Sequence, residues 1–150
     1  MGVSFFNPSK SGGSATNPKF LLFQNQIEEI PANQRIYFWF GGNRHNAIIT
    51  DPPNQFAYWT SGGLNFIIEK IFIYHSPIFN AEDVDVNLVD STGTIIASLG
   101  TLSGILPSQL SILTPNVSVT SGTTYEIEIM NHQVGNVFTP YQITAVCQKI

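Results

Sequence analysis

A chain of 150 residues has the size of one domain and can bury a core without disulfides or a metal ion. Only 11% of the residues are charged, against about 25% in an average soluble domain, and the net charge is −4. The six Lys and Arg residues are scattered and form no basic patch, which argues against nucleic-acid binding, and the single cysteine excludes an intramolecular disulfide.

Residues 1–19 are predicted to form a flexible N-terminal arm. Positions 7–18 are rich in Gly, Ser, Asn and Pro, a composition typical of linkers. Val3, Phe5 and Phe6 stand before this linker, and an apolar tip on a flexible tether suits docking into a neighbouring molecule. The alternative is that the Phe pair folds back on its own domain. These first residues lack the pattern of a signal peptide, and no apolar run has the length of a membrane span, so we expect assembly in a host cytoplasm.

Residues 20–150 follow the arm, and the first half of this range is predicted to consist of β-strands. Its apolar segments are short, rich in aromatic and β-branched residues, and bounded by Gly, Pro, Asn and Asp. The longest segment is expected to bend at Glu69 and Lys70. The predicted strands cover 20–24, 35–40, 46–50, 55–60 and 64–74.

The second half alternates apolar and polar residues more regularly, as half-buried strands do. A hairpin is predicted over 83–99, with Gly93 in its turn. In the strand at 124–129, the apolar positions should face the core, and Glu126 and Glu128 should face outward. Further strands are expected at 109–112, 117–119 and 141–150.

Nine to eleven short strands without a helical period predict an all-β fold. An antiparallel β-sandwich of jelly-roll type is preferred, and an immunoglobulin-like sandwich is the second choice. Residues 20–150 should form this single domain.

No motif indicates catalysis, so we expect no enzyme, cofactor or metal. The three histidines have no ligand partner at a short spacing, and we expect His45 and His132 in solvated loops. Glu82, Asp83 and Asp85 are interpreted as a solvated strand face rather than a calcium site. Cys147 stands at an apolar position and is expected to be a buried, inert thiol.

Aromatic residues provide the candidate binding surface. Tyr37 and Trp39 alternate with other apolar residues, so one set is free to face outward, and Tyr58 and Trp59 are adjacent and should point to opposite faces. Exposed Tyr and Trp side chains stack on sugars or anchor protein interfaces. A carbohydrate-binding or adhesin-like module is therefore the alternative function.

The favoured hypothesis is a non-enzymatic structural protein of a virion. A weakly charged surface suits a protein whose faces are covered by neighbours. Within that class we favour a bacteriophage capsid decoration or cement protein, or a head-fibre or tail accessory subunit. Its expected partners are the major capsid protein and further copies of itself, as a trimer, and neither nucleic acid nor membrane.

Overall fold

The computed structural model describes residues 17–25, 29–40, 44–48, 59–60, 64–79 and 83–150, and it describes only the backbone of 44–48 and 59–60. Within these ranges the chain forms strands and turns and no helix. The strands are β1 (Lys19–Gln24), β2 (Gln34–Phe38), β3 (Arg44–Ile48), β4 (Trp59–Thr60), β5 (Phe66–His75), β6 (Val84–Asp90), β7 (Ile95–Leu102), β8 (Gln109–Leu113), β9 (Val117–Val119), β10 (Thr124–Asn131) and β11 (Pro140–Lys149).

The strands form two antiparallel sheets. The first sheet has the order β1-β11-β5-β8, with β9 paired to β5, and the second has the order β3-β2-β10-β6-β7, with β4 paired to β10. The pairing is nested along the chain: β1 pairs with β11, β2 with β10, β5 with β8, and β6 with β7. This nesting is the double Greek key of a jelly roll, so the predicted fold class is confirmed.

The hydrophobic core lies between the two sheets. Alternate residues of β5 and β11 supply one side, including Ile71, Ile73 and Ile143, and Leu88 and Ile127 from the second sheet face them. These five side chains are at most 1% exposed. The residues that contact the core therefore alternate along each strand, as the period of two in the sequence predicts.

Two local features confirm expectations from the sequence. Asp90 closes the β6–β7 turn, since its Oδ1 accepts hydrogen bonds from the backbone N–H groups of Thr92 and Thr94 and from the Thr92 hydroxyl. These bonds hold the pKa of the Asp90 carboxyl below its usual range. Gly93 has a φ of 78°, which favours glycine. The β5–β11 register shifts between Ile68 and Lys70, so the expected bend is a bulge.

One expectation about local placement is wrong, and a second one is right in direction but misses the burial. His45 lies inside β3 rather than in a loop, because pairing with β2 extends to Arg44. Glu126 and Glu128 do face away from the core, but each is only 1% exposed, so the outer face of the second sheet is buried at these positions. The predicted arm residues Val3, Phe5 and Phe6 lie outside the described residues, and β1 already begins at Lys19.

Candidate interaction surface

The outer face of the first sheet exposes large apolar side chains. In β1 the residues alternate between exposed and more buried, with Leu21 and Phe23 facing outward and Phe20 and Leu22 packing toward the core. In β8 the outward residues are Leu110 and Ile112. Both strands are thus apolar on the side that faces away from the core, where a solvated sheet usually carries polar residues.

Cross-strand pairing arranges these side chains in rows. One row runs Phe23, Thr144, Phe72 and Ile112 across β1, β11, β5 and β8. A second row contains Gln142, Tyr74 and Leu110. We define the apolar face by its six exposed members, each between 45% and 55% exposed: Leu21, Phe23, Tyr74, Leu110, Ile112 and Tyr141.

An aromatic pair lies at one end of the apolar face. The ring centroids of Tyr74 and Tyr141 are 5.3 Å apart, and the rings are tilted by 44°. Offset geometries of this kind stabilise aromatic pairs beyond the area that they bury. Both rings remain about half exposed, so the pair keeps surface for a further contact.

Charged side chains lie beside the two rows, from the Lys19 end of the sheet to Lys70 in the middle of β5. Lys19 Nζ is 2.9 Å from Glu69 Oε2, and Lys70 is exposed one position further along β5. The two apolar rows themselves contain only uncharged side chains. A partner covering these rows would therefore bury apolar groups without stripping water from a charge.

Exposed apolar residues continue into the loops beside the tyrosine pair. Phe79 is 60% exposed, Ile105 72%, Val134 70% and Val137 43%. Their loops are joined by a backbone bridge between Ile78 and Leu106 and by a hydrogen bond from Phe79 N to Gln133 Oε1. These loops lead directly into β8 and β11 at the Tyr74 end, so the apolar surface extends around that end of the sandwich.

An exposed apolar face of this kind is suited to association. Soluble monomers rarely expose a contiguous apolar patch larger than about 300–600 Å² unless it has a function. Burial of such a patch is favourable by roughly 25 cal/mol for each Å² of apolar surface.

The predicted aromatic surface is not formed by Tyr37 and Trp39. Tyr37 is fully buried and Trp39 is 3% exposed, because Trp39 joins the core and the outer face at Tyr37 is covered. Neither ring presents a face to a sugar, so this part of the expectation is wrong. Tyr58 lies outside the described residues, and only the backbone of Trp59, paired with Tyr125, is described.

A buried polar cluster lies on the outer face of the second sheet. Asn87 Nδ2 donates to Glu128 Oε1 at 3.0 Å, and Arg35 Nη1 lies 3.5 Å from Glu128 Oε2. Glu126, two residues away, is equally buried, and burial raises the pKa of its carboxyl to about 7. The cluster is enclosed, so we assign it to the structure of the sheet.

The histidines and the cysteine occupy structural positions. His75 is fully buried, with Nδ1 2.6 Å from the Ser76 carbonyl oxygen and Nε2 2.7 Å from Ser111 Oγ. His132 follows β10 in a loop, as expected, but its Nε2 lies 2.9 Å from Asp85 Oδ2. Cys147 is fully buried, as expected, and burial raises the pKa of its thiol to about 12.

Within the described ranges, His, Cys, Asp and Glu side chains form no group of three that would hold a metal ion. The same ranges contain no helix that is long and apolar enough to cross a membrane.

The sequence does contain a signal for the apolar face, but the alternation of apolar and polar residues in β8 hides it. Leu110 and Ile112 show the period of an inward-facing set, but their neighbours Gln109 and Ser111 are the ones turned toward His75 and the interior. The better signal is β1, where four consecutive apolar residues, 20–23, place apolar groups on both faces of a strand.

No family model and no curated protein matches the sequence. Solved structures with similar folds include a GH26-CBM35 β-(1,4)-mannanase from Podospora anserina, 11% identical over 87% of this chain, with a TM-score of 0.43. The C-terminal CBM6 of LamC, a marine laminarinase from Zobellia galactanivorans, is 12% identical over 85% of this chain and 99% of its own, with a TM-score of 0.39.

A mutant VP2 protein of infectious bursal disease virus, from derived T=1 particles, is 10% identical over 91% of this chain, with a TM-score of 0.46. This chain spans 28% of the mannanase chain and 33% of the VP2 chain. The structural neighbours thus include both viral capsid proteins and carbohydrate-binding modules, and no function of this chain follows from them.

Proposed function

We propose that this protein is a non-enzymatic structural subunit of a virion that associates with other virion proteins through the apolar face. Within that role we favour a bacteriophage capsid decoration or cement protein, or a head-fibre or tail accessory subunit. Its partners are the major capsid protein and other copies of the same chain, as a homotrimer. The observation that carries the proposal is the pair of uncharged rows across the first sheet, in which the large apolar side chains at the edge strands and Tyr74 remain about half exposed.

The composition supports the same role. A chain in which only 11% of the residues are charged gives little repulsion between neighbouring copies, which suits dense packing in an assembly. Many modest contacts between subunits held at high local concentration add up to a stable shell. A jelly roll suits this use because its two sheets form a rigid block with one large face available.

The test compares two isoleucines of similar exposure in the full-length chain. Ile112 on the apolar face is 55% exposed, and Ile95 on β7 of the second sheet is 52% exposed. Ile112→Lys should weaken self-association at least tenfold in sedimentation velocity, since a lysine ammonium must be desolvated in the contact. Ile95→Lys should change it less than threefold. Equal effects of the two substitutions would exclude the apolar face as the interface.

The virion assignment has its own measurement. Mass spectrometry of purified particles should detect the chain at a fixed stoichiometry to the major capsid protein. Added Ile112→Lys protein should be retained by particles that lack the chain much less than the unaltered protein. Absence from the particles, with a monomeric chain at micromolar concentration, would contradict the proposal.

The Tyr74–Tyr141 pair favours carbohydrate binding as a second candidate. Two half-exposed rings with centroids 5.3 Å apart offer an aromatic platform of the kind that stacks on a sugar. A glycan array probed with the unaltered chain and with Tyr74→Ala tests this function. Retention of a glycan that is lost in Tyr74→Ala would favour it over the structural role.

A further inference from the structure

We propose that the apolar face receives residues 3–6 of a second copy of this chain, so that each subunit donates its arm to a neighbour. The inference rests on the proposed function and names the occupant of the same surface. Val3, Phe5 and Phe6 supply the apolar groups, and the receiving rows are Phe23–Thr144–Phe72–Ile112 and Gln142–Tyr74–Leu110.

The chemistry of the two partners matches. Residues 1–9 carry no charged side chain, and neither do the two receiving rows. Docking would therefore bury apolar and aromatic groups against each other without an unpaired charge, which is the costly element of an interface. Phe side chains fit beside the half-exposed Tyr74 and Tyr141 rings, where aromatic contacts add to burial.

The connection to β1 directs the arm away from the receiving rows of its own sheet. Lys149 N donates to Pro18 O at 3.0 Å, so pairing with the end of β11 continues one residue before Lys19. Pro18 has a fixed φ and disfavours a helical conformation at Asn17. The chain thus passes Pro18 along the strand direction, at the Lys19 end of the sheet and opposite to the Tyr74 end. To reach the receiving rows of its own sheet, the arm would have to reverse its direction completely.

The available length is sufficient. The 12 steps between successive Cα atoms from Phe5 to Asn17 span at most about 40 Å when the chain is extended. The receiving rows lie only about 13–20 Å along the strands from the Lys19 end. An extended arm is therefore about twice as long as the distance from the Lys19 end of a sheet to its receiving rows.

Disulfide trapping in full-length protein tests the inference. A Phe5→Cys population is mixed with an Ile112→Cys population carrying a different mass label, and the mixture is oxidised. The native Cys147 stays in place because it is fully buried and burial raises the pKa of its thiol. We expect a covalent heterodimer joined at positions 5 and 112. Replacing Ile112→Cys by Ser91→Cys, in the exposed β6–β7 turn, should reduce its yield at least tenfold.

Two outcomes would overturn the inference even if a disulfide forms. One is equal trapping at positions 91 and 112. The other is an intramolecular disulfide in the Phe5→Cys/Ile112→Cys double variant at nanomolar concentration, which would place the arm on its own sheet. If trapping fails while Ile112→Lys still weakens assembly, only the arm is excluded and the proposed function stands.

Discussion

Glu126 and Glu128 show how one strand carries two carboxyls with different energetic consequences. Both are 1% exposed on the outer face of the second sheet. Glu128 has Asn87 and Arg35 as partners, whereas within the part of the chain that the structure describes Glu126 Oε1 has no hydrogen-bond partner. Burial disfavours the charged form of a carboxyl, and it raises the pKa of Glu126 to about 7.

The raised pKa predicts that Glu126 lowers stability as the pH rises. Below pH 4.5 the Glu126 carboxyl is protonated in both the folded and the unfolded chain and costs nothing. Between pH 4.5 and about 7 the unfolded chain releases this proton while the folded chain retains it, so the free energy of unfolding falls. Above that range the loss is complete. Glu126→Gln removes this titration and should be more stable than the unaltered chain by about 2 kcal/mol at pH 8.

Urea denaturation at pH 5 and pH 8 measures the effect. The stability difference between Glu126→Gln and the unaltered chain should grow with pH. Glu69→Gln serves as the control, since Glu69 is more exposed and paired with Lys19 at the surface. A difference for Glu126→Gln that stays constant between the two pH values would contradict the assigned titration.

The burial of these glutamates marks a limit of single-residue reasoning. Alternation along 124–129 correctly places Glu126 and Glu128 opposite to the core. Their burial depends on what covers that face, and a strand's own period carries no information on the next layer. Tyr37, on the neighbouring strand, is buried on the same face. The expectation of an aromatic surface at Tyr37 was wrong for the same reason, because the period of the strand does not show that this face is covered.

At the level of elements, Gly100 controls how closely β7 approaches β8 across the edge of the sandwich. Gly100 has a φ of 142°, and a Cβ placed on it would lie 2.8 Å from Leu113 Cδ2. Gly100→Ala should therefore destabilise the domain by about 1–3 kcal/mol, through overpacking and backbone strain together. Thermal or urea unfolding of the full chain measures this cost.

A double-mutant cycle separates the two contributions. In a Leu113→Ala background the contact is removed, so Gly100→Ala should cost less than it does alone. Gly104→Ala is the matched control, because Gly104 also has a positive φ of 81° but nothing lies within 4 Å of the added Cβ. If Gly100→Ala costs the same in both backgrounds, the close approach of the two strands contributes nothing.

The elements themselves could be predicted from the sequence because their signals are local. The Asp90–Gly93 turn and the bulge at Glu69 follow from turn chemistry and from charges inside an apolar run. The apolar face could not be predicted in this way. Leu110 and Ile112 satisfy the period of a core strand, and only the pairing of β8 with β5 shows that they face outward.

At the level of the whole molecule, the distribution of charge predicts the salt response of assembly. The charged groups of the first sheet, Lys19, Glu69, Lys70 and Lys149, lie outside the rows that carry the proposed contact, and those rows are uncharged. An interface of this kind gains its free energy from the burial of apolar surface, and sodium chloride changes this contribution very little. Raising the salt from 0.05 to 0.5 M should change the self-association constant less than threefold, although it shortens the Debye length to about 4 Å.

Sodium sulfate, unlike sodium chloride, should strengthen self-association, because it is excluded from protein surfaces and strengthens apolar burial. We expect self-association to tighten in 0.3 M sulfate for the unaltered chain, and to tighten much less for Ile112→Lys, whose lysine is placed in the contact. Sedimentation equilibrium in the two salts measures both constants. If raising the sodium chloride concentration lowered the self-association constant tenfold or more, the charged side chains of the sheet, and not its uncharged rows, would hold the subunits together.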